Sequence, residues 1–374
     1  MRIGIDARIL GHPRSGIAVY VTNLVEQFLK HKDLEVILFG DRPICEEYKY
    51  ITDRVKTVIF GQAHRKRWAQ FYLPGQLKKY KIDIYHATWN SAVPIFTRVP
   101  SVLTVHDLIP LVVEGYFKNN KKRFKYVYLL HFLSARAAAI ITDAENTKLD
   151  LIKYFNTPKE KIKVVHLGIK EDYQAADNDK QRVLDKFGIN RDYVINIGSF
   201  DKRRNLETLI KAFSLFIKNA NRDSQLVLVG NYYNFKREVG NLKVFADNLS
   251  LKGRVIFTDY VTGNELSALL KSAKIMVHLS LYEGFCFPVL EAMQVGVPVV
   301  ASNTGSIPEI AGDAAVLVDP LNEEDTARAI ESLWLDQNKS GIFIKKGLER
   351  IKIFSWEKTA QETISIYRKV LNIK

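Results

Sequence analysis

Two successive series of short apolar runs, broken by helix-patterned segments, constrain the fold of this chain more than any other feature. The first series holds MRIGIDAR (Met1 to Arg8), EVILFG, DIYHA, SVLTVHD, AAIIT and IKVVHLG, ending at Gly168. The second holds YVINIGSF (Tyr193 to Phe200), QLVLVG (Gln225 to Gly230), RVIFTDY (Arg254 to Tyr260), Ile275 to Leu279 and GVPVVAS (Gly296 to Ser302). Apolar runs of this length read as strands, and strands that alternate with helical patterns imply crossover units and parallel sheets. Between the first two runs, Val21, Leu24, Val25 and Phe28 share one face of a helix spanning about Ile17 to Leu29. A polar stretch, Asp172 to Asp185, separates the two series. A chain of 374 residues also exceeds the size at which a single core keeps growing. The expectation is an α/β protein of two domains, residues 1–170 and 171–354, with two open, mostly parallel sheets facing each other across a cleft.

Composition narrows the class. Cys45 and Cys286 lie far apart and offer neither a disulfide framework nor metal-ligand spacing. No basic-plus-apolar leader precedes the first strand, and no apolar run approaches the roughly 20 residues of a spanning helix. An intracellular protein, not integral to a membrane, is expected. The net charge of +14 is unevenly spread: residues 1–170 carry 28 Lys and Arg against 15 Asp and Glu, whereas residues 171–374 are nearly balanced. The excess gathers in HRKRW (His64 to Trp68), KKYK (Lys78 to Lys81) and KNNKKRFKYVYLL (Lys118 to Leu130), where basic and aromatic residues interleave. Such segments attract anionic lipid headgroups or nucleic acid.

The densest chemistry lies in EGFCFPVLE (Glu283 to Glu291), two carboxylates around the start of a helix. Glycine and proline at a strand-to-helix junction let backbone N–H groups approach a ligand, and the helix dipole favours negative charge there. Val289, Leu290 and Met293 would face inward, and Glu291, one turn in, can point back to the junction. A carboxylate on each side suits a polyhydroxylated ligand held at the backbone, as a sugar nucleotide is. Taken alone, such glutamates serve equally well as solvated helix caps.

A second motif, GSFDKRRNLETLIKAF (Gly198 to Phe213), ends a strand at glycine and crosses a loop holding Lys202, Arg203 and Arg204. It then enters a helix with Leu206, Leu209, Ile210 and Phe213 on one face. Three cations before a helix N-terminus oppose its dipole unless an anion lies among them, and a diphosphate is such an anion. An exposed basic turn is the plainer alternative. Histidines and cysteines do not cluster in this half, and no Asp-x-Asp stands in a loop placed to clamp Mg²⁺. Metal-independent chemistry with no cofactor, the cations taking the ion's place, is expected. In the first half, His106 follows the strand-like run SVLTV and should emerge at a sheet's carboxyl edge, where ligands bind. An isolated histidine there is often structural, and His86 is a rival. Asp107 would orient the loop or the imidazole.

In order along the chain, SGIAVY, VHDLIP, GSFDKRRNLETLIKAF, EGFCFPVLEAMQVGVPVVAS, IPEIAGDAAVLVDP and FSWEKTAQETISIY resemble the retaining nucleotide-sugar glycosyltransferases of family 4, which have the GT-B fold of two Rossmann-like domains. The pattern is most similar to mannosyltransferases of bacterial surface polysaccharide synthesis. The resemblance implies a hexosyl transfer with retention, most readily of mannose from GDP-mannose, with a UDP-hexose donor (UDP-glucose or UDP-N-acetylglucosamine) as the alternative. It implies that Arg203 and Arg204 hold the donor diphosphate, Arg204 standing where the family usually has Lys. It places Glu283 on hydroxyls of the donor sugar, Glu291 on the ribose and His106 beside the sugar. Gly16, in a small-residue loop, would touch the donor, and Gly198, Phe285, Cys286 and Phe287 would complete the pocket by backbone and shape. Val19 stands where the closest pattern often has Arg.

The resemblance also implies that the helix at 355–374, with Trp356, Ala360, Ile364, Tyr367 and Leu371 at helical spacing, packs back on the first domain. The expected partners are a nucleotide sugar, a glycan or polyprenyl-diphosphate-linked saccharide acceptor, and an anionic membrane surface on the cytoplasmic side met by the basic, aromatic first half. That half contains Trp68, Phe71, Tyr72, Tyr80, Phe117, Phe124, Tyr126 and Tyr128. Nucleic-acid binding is the competing class suggested by charge, but no helix-turn-helix, zinc finger or KH motif accompanies it. A phosphorylase would need a cofactor-binding lysine that the sequence does not offer.

Overall fold

The computed structural model describes residues 1–12, 16–60, 68–90, 93–113, 115–117, 119–169, 180–220 and 223–373. The basic run His64 to Arg67, Lys118, Arg14 and most of the polar stretch from Asp172 to Asp185 fall outside them. The chain divides into two compact units, Met1–Gly168 with Phe354–Lys374, and Ile169–Ile353.

The first unit is built on seven strands: β1 (Arg2–Asp6), β2 (Glu35–Gly40), β3 (Lys56–Ile59), β4 (Ile84–Ala87), β5 (Ser101–Val105), β6 (Ala139–Thr142) and β7 (Ile162–Val164). They lie in the order β3-β2-β1-β4-β5-β6-β7, and every pairing is parallel. Helices cover the central strands, so β4, β5 and β6 are buried along their whole length and read as unbroken apolar runs. β3 is an exposed edge with the sequence KTVI, which is why no apolar run announced it.

The helix Gly16–Phe28 buries Val21, Leu24, Val25 and Phe28 together with Tyr20. The C-terminal helix Trp356–Val370 is capped by Ser355 and buries Trp356, Ala360, Ile364 and Tyr367 within this same unit. Its Tyr367 ring packs on Phe28 at 5.9 Å, and Thr359 Oγ1 donates to the His166 carbonyl at 2.8 Å. Trp68, counted among the surface aromatics, is instead fully buried, with the Arg8 guanidinium 4.6 Å from its ring centre. Among the described residues no helix is long and apolar enough to cross a membrane.

The second unit has six strands, all parallel: β8 (Tyr193–Ile197), β9 (Gln225–Val229), β10 (Val255–Phe257), β11 (Ile275–His278), β12 (Val299–Ser302) and β13 (Ala315–Val318), in the order β10-β9-β8-β11-β12-β13. The strand order reverses between β1 and β4 in one sheet and between β8 and β11 in the other. In open α/β sheets ligands bind beside such a reversal, at the carboxyl ends of the strands. Both motifs singled out in the second half leave the sheet there, one after β8 and one after β11.

Candidate active site

The loop after β8 begins at Gly198, whose φ of +154° disfavours side chains. A Cβ there would come 2.9 Å from Arg204 Nε, and a Cβ on neighbouring Gly230 would come 2.1 Å from the Gly198 carbonyl oxygen. Only with glycine at both positions does the backbone close under the arginine. Asp201 then caps the short turn Lys202–Arg204 by accepting from the Arg203 N–H at 3.1 Å. The helix Leu206–Ala220 follows, burying Leu206, Leu209, Ile210 and Phe213. The loops after β8 and β11 are joined directly: Leu281 N–H donates to the Arg203 carbonyl at 2.9 Å, and Arg203 Nη1 donates to the Tyr282 carbonyl at 3.1 Å.

Glu283 sits where these loops meet and is only 7% exposed. Its Oε1 accepts from Arg204 Nη1, lies 2.8 Å from Arg203 Nη1 and lies 3.1 Å from His278 Nε2. Arg204 Nη1 also reaches Ser280 Oγ at 3.2 Å. Burial by itself would raise the Glu283 pKa; Arg204, the His278 bond and Arg203 outweigh it and hold the carboxyl far below its usual range. For His278, burial and the two guanidinium groups prevail over Glu283, so its pKa is lowered and the ring is neutral. Its Nδ1 is buried with no hydrogen-bond partner among the described residues. Arg203 Nη2 also lies 3.6 Å from Asp201 Oδ2, so at the sheet's switch point two guanidinium groups stand among two carboxylates.

Beyond Glu283, the chain turns through Cys286, whose φ of +69° is left-handed, into the helix Phe287–Gln294. Val289, Leu290 and Met293 are buried and Pro288 lies in the first turn. The Phe285 and Phe287 rings pack on each other at 5.2 Å. Burial pushes the Cys286 thiol well up, so it is an inert group here. Glu291 lies one turn into the helix, half-buried.

Two predicted residues, Gly16 and His106, belong to the first unit. Gly16 opens the first helix and is exposed, and a Cβ added to it would meet nothing within 4 Å. His106 leaves β5 with its side chain 12% exposed. Its Nδ1 donates to Asp143 Oδ2 at 2.7 Å and its Nε2 lies 3.1 Å from the Thr88 carbonyl oxygen. Two acceptors facing the two nitrogens suit an imidazolium. Burial opposes that charge, yet Asp143, with smaller help from Asp107 and Thr88, leaves the His106 pKa raised. Asp107 accepts from the Ile109 N–H at 3.0 Å and so shapes the loop, while the direct partner of the imidazole is Asp143, at the end of β6.

The structure therefore gathers Arg203, Arg204 and Glu283 into one cluster, packs Gly198 beneath it, and places Phe285, Cys286, Phe287 and Glu291 along the following turn and helix. Sequence reasoning missed His278 and Asp143. The signal for each was weak: a histidine inside an apolar strand, and an aspartate at a strand end 37 residues from its partner. Among the described residues, no group of three His, Cys, Asp or Glu is placed to hold a metal ion. The sequence does contain one Asp-x-Asp triplet, Asp177 to Asp179, in the stretch outside those residues.

Comparison with known proteins agrees with this architecture. Residues 14–173 match the family described as Glycosyltransferase Family 4, and residues 178–350 match Glycosyl transferases group 1. The O-antigen chain mannosyltransferase B of Escherichia coli is 31% identical, over 98% of this chain and 100% of that protein. Among solved structures, a glycosyltransferase from Rickettsia africae ESF-5 superposes with a TM-score of 0.78 at 16% identity, over 100% of this chain and 99% of that one. Anabaena Alr3699/HepE in complex with UDP gives a TM-score of 0.78 at 16% identity, over 98% and 99%. With two parallel sheets, two site loops at a switch point and a full-length relative, the chain belongs to the nucleotide-sugar-dependent glycosyltransferases of the GT-B fold, its halves those of Family 4 and group 1.

Proposed function

We propose that this enzyme transfers mannose from GDP-mannose, with retention at the anomeric carbon, to a hydroxyl of a glycan or lipid-linked saccharide in the synthesis of a surface polysaccharide. The observation that carries the reading is the pair Arg203 and Arg204 clamped on Glu283 at the β8/β11 switch point. The mannosyltransferase activity named for the Escherichia coli relative supports the choice of sugar. In this reading the two guanidinium groups bind the donor diphosphate and stabilise the charge that develops on the departing oxygen. Glu283 accepts hydrogen bonds from sugar hydroxyls and Glu291 from the ribose, since an ionised carboxylate offers acceptors only. Gly16, Gly198, Phe285, Cys286 and Phe287 contribute backbone and shape. His106, with both nitrogens engaged, organises the reacting centre by its charge and by the loop it holds.

The bond from the anomeric carbon to the phosphate oxygen breaks as the acceptor oxygen bonds to that carbon on the same face, and the acceptor proton passes to the leaving phosphate. The helix Asn120–Arg136 supports an acceptor at an anionic membrane surface. It carries Lys121, Lys122, Arg123 and Lys125 beside Phe124 and Tyr128, which are 73% and 65% exposed. Thermal stabilisation and turnover measured with GDP-mannose, UDP-glucose and UDP-N-acetylglucosamine test the donor, and the anomeric configuration of the product, read by NMR, tests retention. Stabilisation by a UDP-sugar but not by GDP-mannose would overturn the choice of donor, and an inverted product would overturn the stereochemistry.

A further inference from the structure

The polar groups buried around His106 extend well beyond its two direct partners. On β4, His86 is fully buried, with Nδ1 2.5 Å from Tyr367 Oη on the C-terminal helix and Nε2 2.7 Å from Thr104 Oγ1 on β5. Thr104 Oγ1 lies in turn 3.1 Å from Tyr20 Oη on the first helix. The Tyr20 ring then meets the His106 imidazole edge-on, with centroids 5.0 Å apart and planes at 80°. Four residues from four elements form one chain that ends against His106.

A neutral imidazole donates from one nitrogen and accepts at the other, so hydrogen bonding runs in a single direction through His86 and polarises its neighbours together. Buried hydroxyls and an imidazole contribute less to a core than aliphatic groups of the same size unless every bond is made. What they add is rotational definition. The Tyr367 hydroxyl fixes the His86 ring, His86 fixes Thr104, and Thr104 fixes the Tyr20 ring against the imidazole. Trp356, from the same C-terminal helix, backs Tyr20 at 6.4 Å.

We propose that Tyr367 is a positioning residue for His106, acting through His86, Thr104 and Tyr20 to keep the imidazole seated between Asp143 and Thr88. Its effect on turnover rests on the reading above, in which His106 organises the reacting centre.

Tyr367→Phe removes the hydroxyl and retains the ring that packs on Phe28 and His86. In ¹⁵N-histidine-labelled enzyme, with His106 assigned by the signals lost in His106→Gln, this variant should shift the His106 ring-nitrogen resonances. Tyr20→Phe should do the same, and the double variant should add little, as links of one chain do. With GDP-mannose as the probe, the kcat for GDP release should fall about tenfold at unchanged KM, since a reacting group is misplaced and no donor contact is lost. If Tyr367→Phe fails to fold, Thr104→Val breaks the same chain at its middle. Wild-type His106 resonances and kcat in both phenylalanine variants, with only a lowered Tm, would overturn the proposal. Full turnover by His106→Ala would instead remove the catalytic reading of His106, while the resonances still decide whether Tyr367 positions it.

Discussion

Arg204 and Glu283 stand 79 residues apart in sequence and share a hydrogen bond at the meeting of two loops, with His278 beneath and Arg203 alongside. Removing one member of a buried charge set leaves the others uncompensated, so each substitution here should be felt both in stability and in binding.

Arg204→Ala should lower kcat by about 10²-fold or more under saturating GDP-mannose, the effect of losing a principal contact to a departing oxygen. Arg204→Lys should retain more of the activity, because a point charge remains where the rigid fork was. Steady-state GDP release checks both; an unchanged kcat in the alanine variant would remove Arg204 from the diphosphate site.

Asp143→Asn should lower the His106 pKa, because the carboxylate is the largest influence holding the imidazolium charged against burial. A histidine whose folded pKa is raised contributes stability that is complete below its unfolded value near 6.5 and is lost as pH rises through the folded value. The wild-type protein should therefore lose this contribution on the alkaline side, and the variant should lose it at lower pH. NMR titration of the His106 ring in both proteins measures the shift.

His86 predicts the opposite sign. Burial, with the nearby His106 charge, lowers its pKa to about 3. Between about 6.5 and 3 the unfolded chain binds a proton that the folded chain does not, so stability falls as pH drops through this window. His86→Gln, although less stable near neutrality, should show a slope of stability against pH between 6 and 4 that is shallower by about 1.4 kcal/mol per pH unit. Denaturant unfolding at several pH values checks it, and parallel slopes would contradict a neutral His86. Glu283 adds a loss of its own in the lower part of this window, because the unfolded carboxyl takes up a proton at about pH 4.3 while the folded one stays ionised, but it does so equally in wild type and variant and leaves the difference in slope to His86.

Vesicles containing anionic lipid should sediment the enzyme more strongly than neutral ones, and salt should weaken the association. Replacing Lys121, Lys122, Arg123 and Lys125 by Gln, with Phe124→Ser and Tyr128→Ser, should reduce it while donor affinity stays the same. Equal sedimentation with both vesicle types would contradict a membrane-facing role for the helix Asn120–Arg136.

Much of this architecture could be read before the coordinates, because buried parallel strands are short apolar runs and helices that cover them carry one apolar face. The two edge strands outside that reading, β3 and β13, are only partly buried and their outward residues blur the pattern. The Glu283 and Arg204 motifs were legible as chemistry because both stand at glycine-marked strand ends in one chain, although each taken alone reads equally well as a helix cap or an exposed basic turn. His278 was not, because in sequence it merely ends an apolar strand and only the fold of the following loop brings Glu283 back onto its Nε2. Asp143 was likewise hidden: Asp107 stands next to His106, and only the adjacency of β5 and β6 shows that a carboxylate 37 residues away is the direct partner.

The segment Phe354–Lys374 completes the first unit, yet it follows all of the second along the chain. A nascent polypeptide emerging from the ribosome therefore holds every residue of unit Ile169–Ile353 before the first unit has its last helix. Until Trp356 and Tyr367 arrive, Tyr20 and His86 lack the side chains that bury them. The usual order of domain completion during synthesis, amino-terminal first, is thereby reversed for this enzyme.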